Sequence, residues 1–491
     1  MKISELQPSE VFRFFEDICA IPHGSGNTAE ISRYLERFAR DRNLYVRVDE
    51  IGNVIMKKAA SAGYENHSPV ILQGHMDMVA VKEEGIVKDL SREGLDLYAE
   101  DGFLKARGTS LGGDDGIAVA YGLALLDGDY EHPPVELVIT VDEETGMEGA
   151  ANITVHDLEG TRMINLDEEE EDKLLVGCAG GAVVEVMFRP SYEQKEGKEL
   201  VIRIEGLNSG HSGVDIHRGY ANAIVLMGRV LSFLAKDGAE KQYEYDLISL
   251  SGGSADNVIP KSACAKLLFN ADNWDKKSRW IQECVEKCAK QIQEEYEGTE
   301  EHIHIFCNSI PSAVSSEYRV MSTGSRDNYI SFLRECPNGV IAMTPHMDNM
   351  VETSLNIGVL KEEQDALCLE ILVRSSVDTK KDAVVQRIRE IAEMLNASCV
   401  VKSAYSGWSY KEESPLRDKM CEIYERRYGH KPIIESIHAG LECGMFCGKI
   451  KDLDCVSIGP NILDIHTTKE RLEIASAERT WNYLLEVLKE L

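Results

Sequence analysis

Three short apolar runs constrain this chain most: Val70-Ile-Leu-Gln-Gly, Val135-Glu-Leu-Val-Ile-Thr-Val and Arg162-Met-Ile-Asn-Leu. Each stops in ionisable side chains. His75 and Asp77 follow the first, Asp142, Glu143 and Glu144 the second, and Asp167 opens the acidic stretch after the third. Such runs, separated by helical periodicity, predict βαβ units, and hence an α/β fold with a mainly parallel, doubly wound sheet flanked by helices. Ligands of such sheets bind beyond the carboxyl ends of the strands, where these side chains would gather. In an extended segment residues i and i+2 share a face, so His75 and Asp77 point the same way. An Asp so placed can orient a metal-ligating imidazole. On this stretch alone, a buried His packed against an Asp reads equally well.

The other elements follow in order. Helical spacing covers residues 7–40, broken by a loop at Ile21-Pro-His-Gly-Ser-Gly-Asn, and strands alternate about a turn at Gly52. Residues 95–110 read as a hairpin or irregular segment. Then Leu111-Gly-Gly-Asp114-Asp115-Gly leads into an apolar, buried helix from about Ile117 to Leu126. A glycine-rich turn at a helix start suits an anion, but two aspartates without a Lys argue against phosphate. Helix capping by Asp114 or Asp115 stays open there. After Gly180 the texture changes, and residues 182–407 read as an inserted α/β domain, with a second β/α alternation beginning near Ile310. The remainder, 408–491, returns to the first texture and ends in an amphipathic helix, Ile474–Leu491.

Composition narrows the classes. With 84 acidic against 53 basic residues the net charge is −31, which repels nucleic acid and anionic membranes and favours a site that gathers cations. No apolar run reaches the length of a membrane span and no secretory signal is visible, so a cytoplasmic protein is expected. The 13 cysteines are scattered without a C-x-x-C pair and read as reduced thiols. Phosphate-loop, dinucleotide and H-E-x-x-H motifs are absent.

His75, Asp77, Asp114, Glu143, Glu144, Asp167 and His466 then form one set of strand-end and loop residues. Two imidazoles with several carboxylates suit a pair of divalent first-row ions, zinc most readily, with manganese or cobalt as substitutes. A carboxylate can bridge two ions where an imidazole cannot, and Asp114 is the candidate. Glu143 and Glu144 diverge if extended, so that one can ligate while the other takes a proton from a metal-activated water.

In order and spacing, His75-Met-Asp77, Gly-Gly-Asp114-Asp115-Gly, Asp142-Glu143-Glu144-Thr-Gly, Asp167 and His466 resemble the co-catalytic zinc metallopeptidases that include aminoacylase and glutamate carboxypeptidase. Gly-His75-Met-Asp-Met-Val, Leu-Gly-Gly-Asp-Asp-Gly and His438-Ala-Gly-Leu-Glu-Cys-Gly are similar to the cytosolic aminoacyl-histidine dipeptidases among them. The resemblance covers essentially the whole chain. It implies a catalytic domain of residues 1–181 and 408–491 with 182–407 as an inserted lid. It further implies a homodimer and two zinc ions per subunit: His75 and Asp167 on the first, Glu144 and His466 on the second, Asp114 between them. Asp77 would orient His75, and Glu143 would be the general base. In the inserted segment, Gly-His211-Ser-Gly resembles the lid histidine that polarises the scissile carbonyl, and segments holding Asn257 and Arg374 resemble those that bind the substrate carboxylate. A capping role for His211 and a surface ion pair for Arg374 stand as structural alternatives, and His438 and Glu442 either sit near the substrate or simply shape a helix start. Many relatives carry Asn or Asp-Lys after the bridging aspartate, where Asp115-Gly116 stands here. The implied reaction is hydrolysis of Xaa-His and related dipeptides. A tripeptidase, carboxypeptidase or aminoacylase on the same scaffold is the alternative enzyme, and a non-catalytic metal- or peptide-binding protein the alternative class.

Overall fold

The protein is described from a computed structural model covering residues 3–309 and 316–491. Ile310, where the second β/α run was expected to begin, lies outside the described residues. Contacts divide the chain into two compact units, one of Met1–Cys178, Trp408–Ser436 and Leu441–Leu491, the other of Ala179–Gly407 with Ile437–Gly440.

The first unit is built on an eight-stranded sheet. Its order is Tyr45–Val48, Val54–Lys58, Val135–Thr140, Val70–His75, Arg162–Asn165, Asp454–Ser457, Lys173–Cys178 and Ile433–Ile437. The central strands from Val135–Thr140 to Asp454–Ser457 run parallel, and antiparallel strands extend the sheet on both flanks. Every residue of Val70–His75 and Val135–Thr140 is buried, as expected of parallel strands covered on both faces. Helices Ser9–Cys19 and Gly113–Asp127 contribute Phe12, Phe15, Ile18, Ile117 and Tyr121 to its core. The closing helix Ile474–Glu490 stacks Trp481 on Tyr121, centroids 5.7 Å apart. A separate four-stranded sheet pairs Ile462–Leu463, Arg471–Glu473, Phe103–Ala106 and Leu97–Glu100, so the loop bearing His466 is pinned at both ends.

The second unit is a ten-stranded sheet whose pairings are all antiparallel, with helices Ala223–Lys241, Trp274–Glu295, Thr323–Glu335 and Asp378–Met394 packed on it. Its core holds Val184, Ile202, Leu231, Phe269, Trp280 and Ile371. Among the described residues no helix is long and apolar enough to cross a membrane.

One local expectation differs from the structure. The run after Thr140 is not extended: Asp142 has φ 53° and Glu143–Gly146 form a turn. The acidic stretch from Asp167 is followed directly by a further strand, Lys173–Cys178, with Leu174, Leu175 and Val176 buried.

Candidate metal centre

The strand Val70–His75 delivers its last residue to the mouth of the sheet. Gly74 is required there, because a Cβ would stand 2.5 Å from Asp115 Oδ2 and 2.7 Å from the Ala118 Cβ. The Asp115 carboxylate accepts the His75 N–H at 3.1 Å, tying the helix start Gly113–Asp127 back to the strand. Asp115 thus serves the backbone, and its neighbour Asp114 is left to the site. Neither caps the helix with its side chain.

His75 Nδ1 donates to the Asp77 carbonyl at 2.9 Å, which leaves Nε2 as the ring nitrogen turned to the site. Nε2 lies 3.1 Å from Asp114 Oδ1 and 3.5 Å from Asp167 Oδ1. Burial disfavours a charged ring there, but Asp167 and the hydrogen bonds to Asp114, Asp167 and Asp77 raise the His75 pKa well above the usual imidazole value: the carboxylates call for positive charge at Nε2, which a proton or a metal cation can supply. The other Asp114 oxygen, Oδ2, is 3.1 Å from His466 Nε2, which is 2.9 Å from Glu144 Oε1. One carboxylate therefore divides its oxygens between two imidazoles. His75, Asp114 and Asp167 bring ligand atoms within 4.8 Å of one another, as do Asp114, Glu144 and His466, and also His75, Glu143 and Glu144. All five residues expected as ligands gather here, with Glu143 beside them.

Asp77 does more than sit beside His75. Its carboxylate is 3.5 Å from His75 Nδ1. It also accepts the Glu143 amide at 3.0 Å, the Glu144 amide at 3.4 Å and the Ser25 hydroxyl at 2.8 Å. The strand ends at His75, so the shared-face geometry expected from the sequence does not extend to Asp77. Its carboxylate holds the turn that presents both glutamates.

The electrostatics match a cation site. Burial lifts Asp167 to about 6 against the pull of His75. Burial likewise raises Glu143 well above the usual carboxylate range, and Asp167, Glu442 and Glu144 add to it while His75 opposes. Burial would also raise Asp114, but hydrogen bonds to His466 and His75 outweigh it and hold its carboxyl low. Hydrogen bonds to Asp114 and Glu144 lift His466 to about 10. Carboxylates crowded in a buried site, with imidazole nitrogens turned on them, are the donor set of divalent first-row metals.

Two buried glutamates lie near the site: Glu442, expected beside the substrate or at a helix start, and Glu470, which carries no signal in the sequence. Glu442 Oε2 accepts from Gln73 Nε2 at 2.5 Å and from the Thr140 hydroxyl at 2.6 Å, on the strands that carry the site. Glu470 binds the backbone of the Leu111–Asp114 loop. Both contacts join segments far apart in the chain.

His211, Asn257 and Arg374 lie together in the second unit. His211 Nε2 is 3.4 Å from Arg374 Nη2, and the Ser212 amide donates to the Asn257 carbonyl at 2.7 Å. Arg374 is only 5% exposed, and among the described residues its guanidinium meets no carboxylate: Nη1 donates to the Tyr405 hydroxyl at 3.2 Å and Nε has no partner. It is a buried cation rather than a surface ion-pair partner. Burial and then Arg374 lower the His211 pKa, so the ring is neutral.

The family model for peptidase family M20/M25/M40 matches residues 71–490. The cytosol non-specific dipeptidase of Escherichia coli (strain K12) is 34% identical over 493 residues, spanning 100% of this chain and 99% of that protein. The crystal structure of aminoacylhistidine dipeptidase from Vibrio alginolyticus superimposes with TM-score 0.91 at 34% identity, covering 100% of this chain and 98% of that one. Aminopeptidase PepT from Bacillus cereus, 15% identical over 99% of both chains with TM-score 0.55, is a likeness of fold.

Proposed function

The chain belongs to peptidase family M20/M25/M40, and from that premise we propose that it is a dipeptidase, working with two zinc ions on Xaa-His and related dipeptides. The observation that carries the reading is the division of the Asp114 carboxylate between His75 and His466. His75 and Asp167 would hold one ion and Glu144 and His466 the other, with Asp114 available to both. When bound, such ions supply Lewis acidity and bring the pKa of a water near neutrality; manganese or cobalt can replace zinc.

The chain's own residues do the rest. Asp77 orients His75 through its carbonyl and holds the Glu143–Glu144 turn with its carboxylate. Glu143 is the general base: its carboxylate takes a proton from the attacking water and passes it to the leaving amine nitrogen. In the second unit, Arg374 receives the substrate's carboxylate, since a buried guanidinium without an anion is costly until one arrives. His211 polarises the scissile carbonyl, and Asn257 takes part in holding the substrate. The names of the two full-length relatives at 34% identity support a dipeptide substrate, and that of the Escherichia coli relative supports a cytoplasmic location. The family resemblance adds a homodimer.

Glu143→Gln tests the mechanism. The variant is expected to keep two zinc ions by mass spectrometry while kcat falls about a thousandfold; surviving activity removes Glu143 as the base. Turnover on dipeptides, tripeptides and N-acyl amino acids tests the substrate. Preference for tripeptides or N-acyl amino acids overturns the dipeptidase reading.

A further inference from the structure

Glu470 is buried, 4% exposed, on the loop between strands Ile462–Leu463 and Arg471–Glu473, shortly after His466. Its Oε2 accepts the amides of Leu111 at 2.7 Å and Gly112 at 2.9 Å, and its Oε1 those of Gly113 at 2.7 Å and Asp114 at 3.3 Å. Four successive amides converge because Gly112 turns left-handed, at φ 67°, just before the helix starts. This makes a backbone nest of the kind that binds anions. A Cβ at Gly113 would come 3.3 Å from Glu470 Oε1, so the second glycine lets the carboxylate in. The anion cradle suggested by Gly-Gly-Asp-Asp-Gly is real, and a carboxylate of the same chain fills it. Among the described residues no Lys, Arg or His pairs with Glu470; the amides alone compensate its charge.

We propose that Glu470 is a positioning residue that fastens the Asp114 loop to the His466 loop and so sets the spacing of the second metal position. The inference rests on the metal-centre reading above. Of the three residues assigned to the second ion, two sit on segments that Glu470 joins, whereas His75 of the first ion ends a fully buried strand. Loss of Glu470 therefore falls on the second ion. A helix cap alone would loosen the fold without choosing between the ions.

Glu470→Gln keeps the shape but turns an NH2 toward two of the four amides. In chelator-buffered zinc titrations of the full chain, the variant is expected to bind its first ion as wild type does and its second about 10- to 100-fold more weakly. Raising free zinc is expected to restore kcat with KM for the dipeptide unchanged. Glu470→Asp, which keeps the charge on a shorter arm, is expected to lie between, and it carries the same titration if the Gln variant does not fold. Wild-type affinity at both positions, equal weakening at both, or a low kcat with both positions filled overturns the inference alone. Wild-type protein that takes up fewer than two ions overturns the metal-centre reading and this inference with it.

Discussion

His438 shows how much a single side chain's surroundings decide. Its Nε2 meets the Ser354 hydroxyl at 2.8 Å inside the second unit. Burial, with the positive charge of Arg374 and the neighbouring His211, holds its pKa down to about 3. The folded ring stays neutral through mild acid, whereas in the unfolded chain it takes a proton near 6.5. Because the folded pKa lies below the unfolded one, this residue costs no stability above pH 6.5 and an increasing amount as pH falls from 6.5 towards 3. The cost is about 2 kcal/mol at pH 5. In His438→Gln the hydrogen-exchange protection of strand Val351–Glu363 is expected to fall less between pH 7.5 and pH 5 than in wild type, by that amount. An identical fall in both proteins means that His438 is charged in the fold. At this scale the sequence exposes residues whose type and position announce chemistry, such as His75 and Asp114. It hides those defined by a distant partner. Glu470 and Glu442 look like ordinary acids until four amides, or Gln73 and Thr140, are seen to converge on them.

Among the elements, the strand Val70–His75 and the helix Gly113–Asp127 form the most demanding contact. A methyl group at Gly74 would overlap Asp115 Oδ2 and the Ala118 Cβ. The strand is bonded to parallel neighbours on both sides and cannot move aside. Gly74→Ala must therefore displace Asp115 and break its bond to the His75 amide. The expected cost is about 1–3 kcal/mol, read as a lower thermal midpoint, together with weaker metal uptake because His75 and Asp114 shift with their elements. An unchanged midpoint with full metal content would show that the helix simply slides. Strands and helices of this kind were legible because apolar periodicity carries them. Legibility failed where long-range contacts impose the backbone. The regular helix starts past Asp115, close to Ile117 as the spacing indicates, but the turn from Gly113 that precedes it holds Asp114 and Asp115 at non-helical angles that no periodicity could reveal. The Glu143–Gly146 turn looked like the end of a strand because the carboxylate beside it, Asp77, belongs to another segment.

Across the whole molecule, the residues assigned to the metals all lie in the first unit, and this makes the consequence of metal removal uneven. Without cations, Asp114, Glu143, Glu144 and Asp167 face one another in a buried site, and protonation can relieve only part of the repulsion. A ligand that binds only the folded state adds about 2.7 kcal/mol at a concentration a hundred times its dissociation constant. Each ion at that saturation stabilises the first unit by roughly that much, and its removal takes the same amount away. Chelation is therefore expected to speed amide exchange in the strands Val70–His75, Val135–Thr140 and Arg162–Asn165. Exchange in Val351–Glu363 and Ala366–Ser375 of the second unit should stay at its original rate, because none of the assigned ligands lies there. Equal acceleration in both units would mean that the two unfold as one cooperative body, so that the metals stabilise the whole chain. No acceleration in either would mean that the carboxylates tolerate one another through protonation, and that the fold of the first unit stands without its cations.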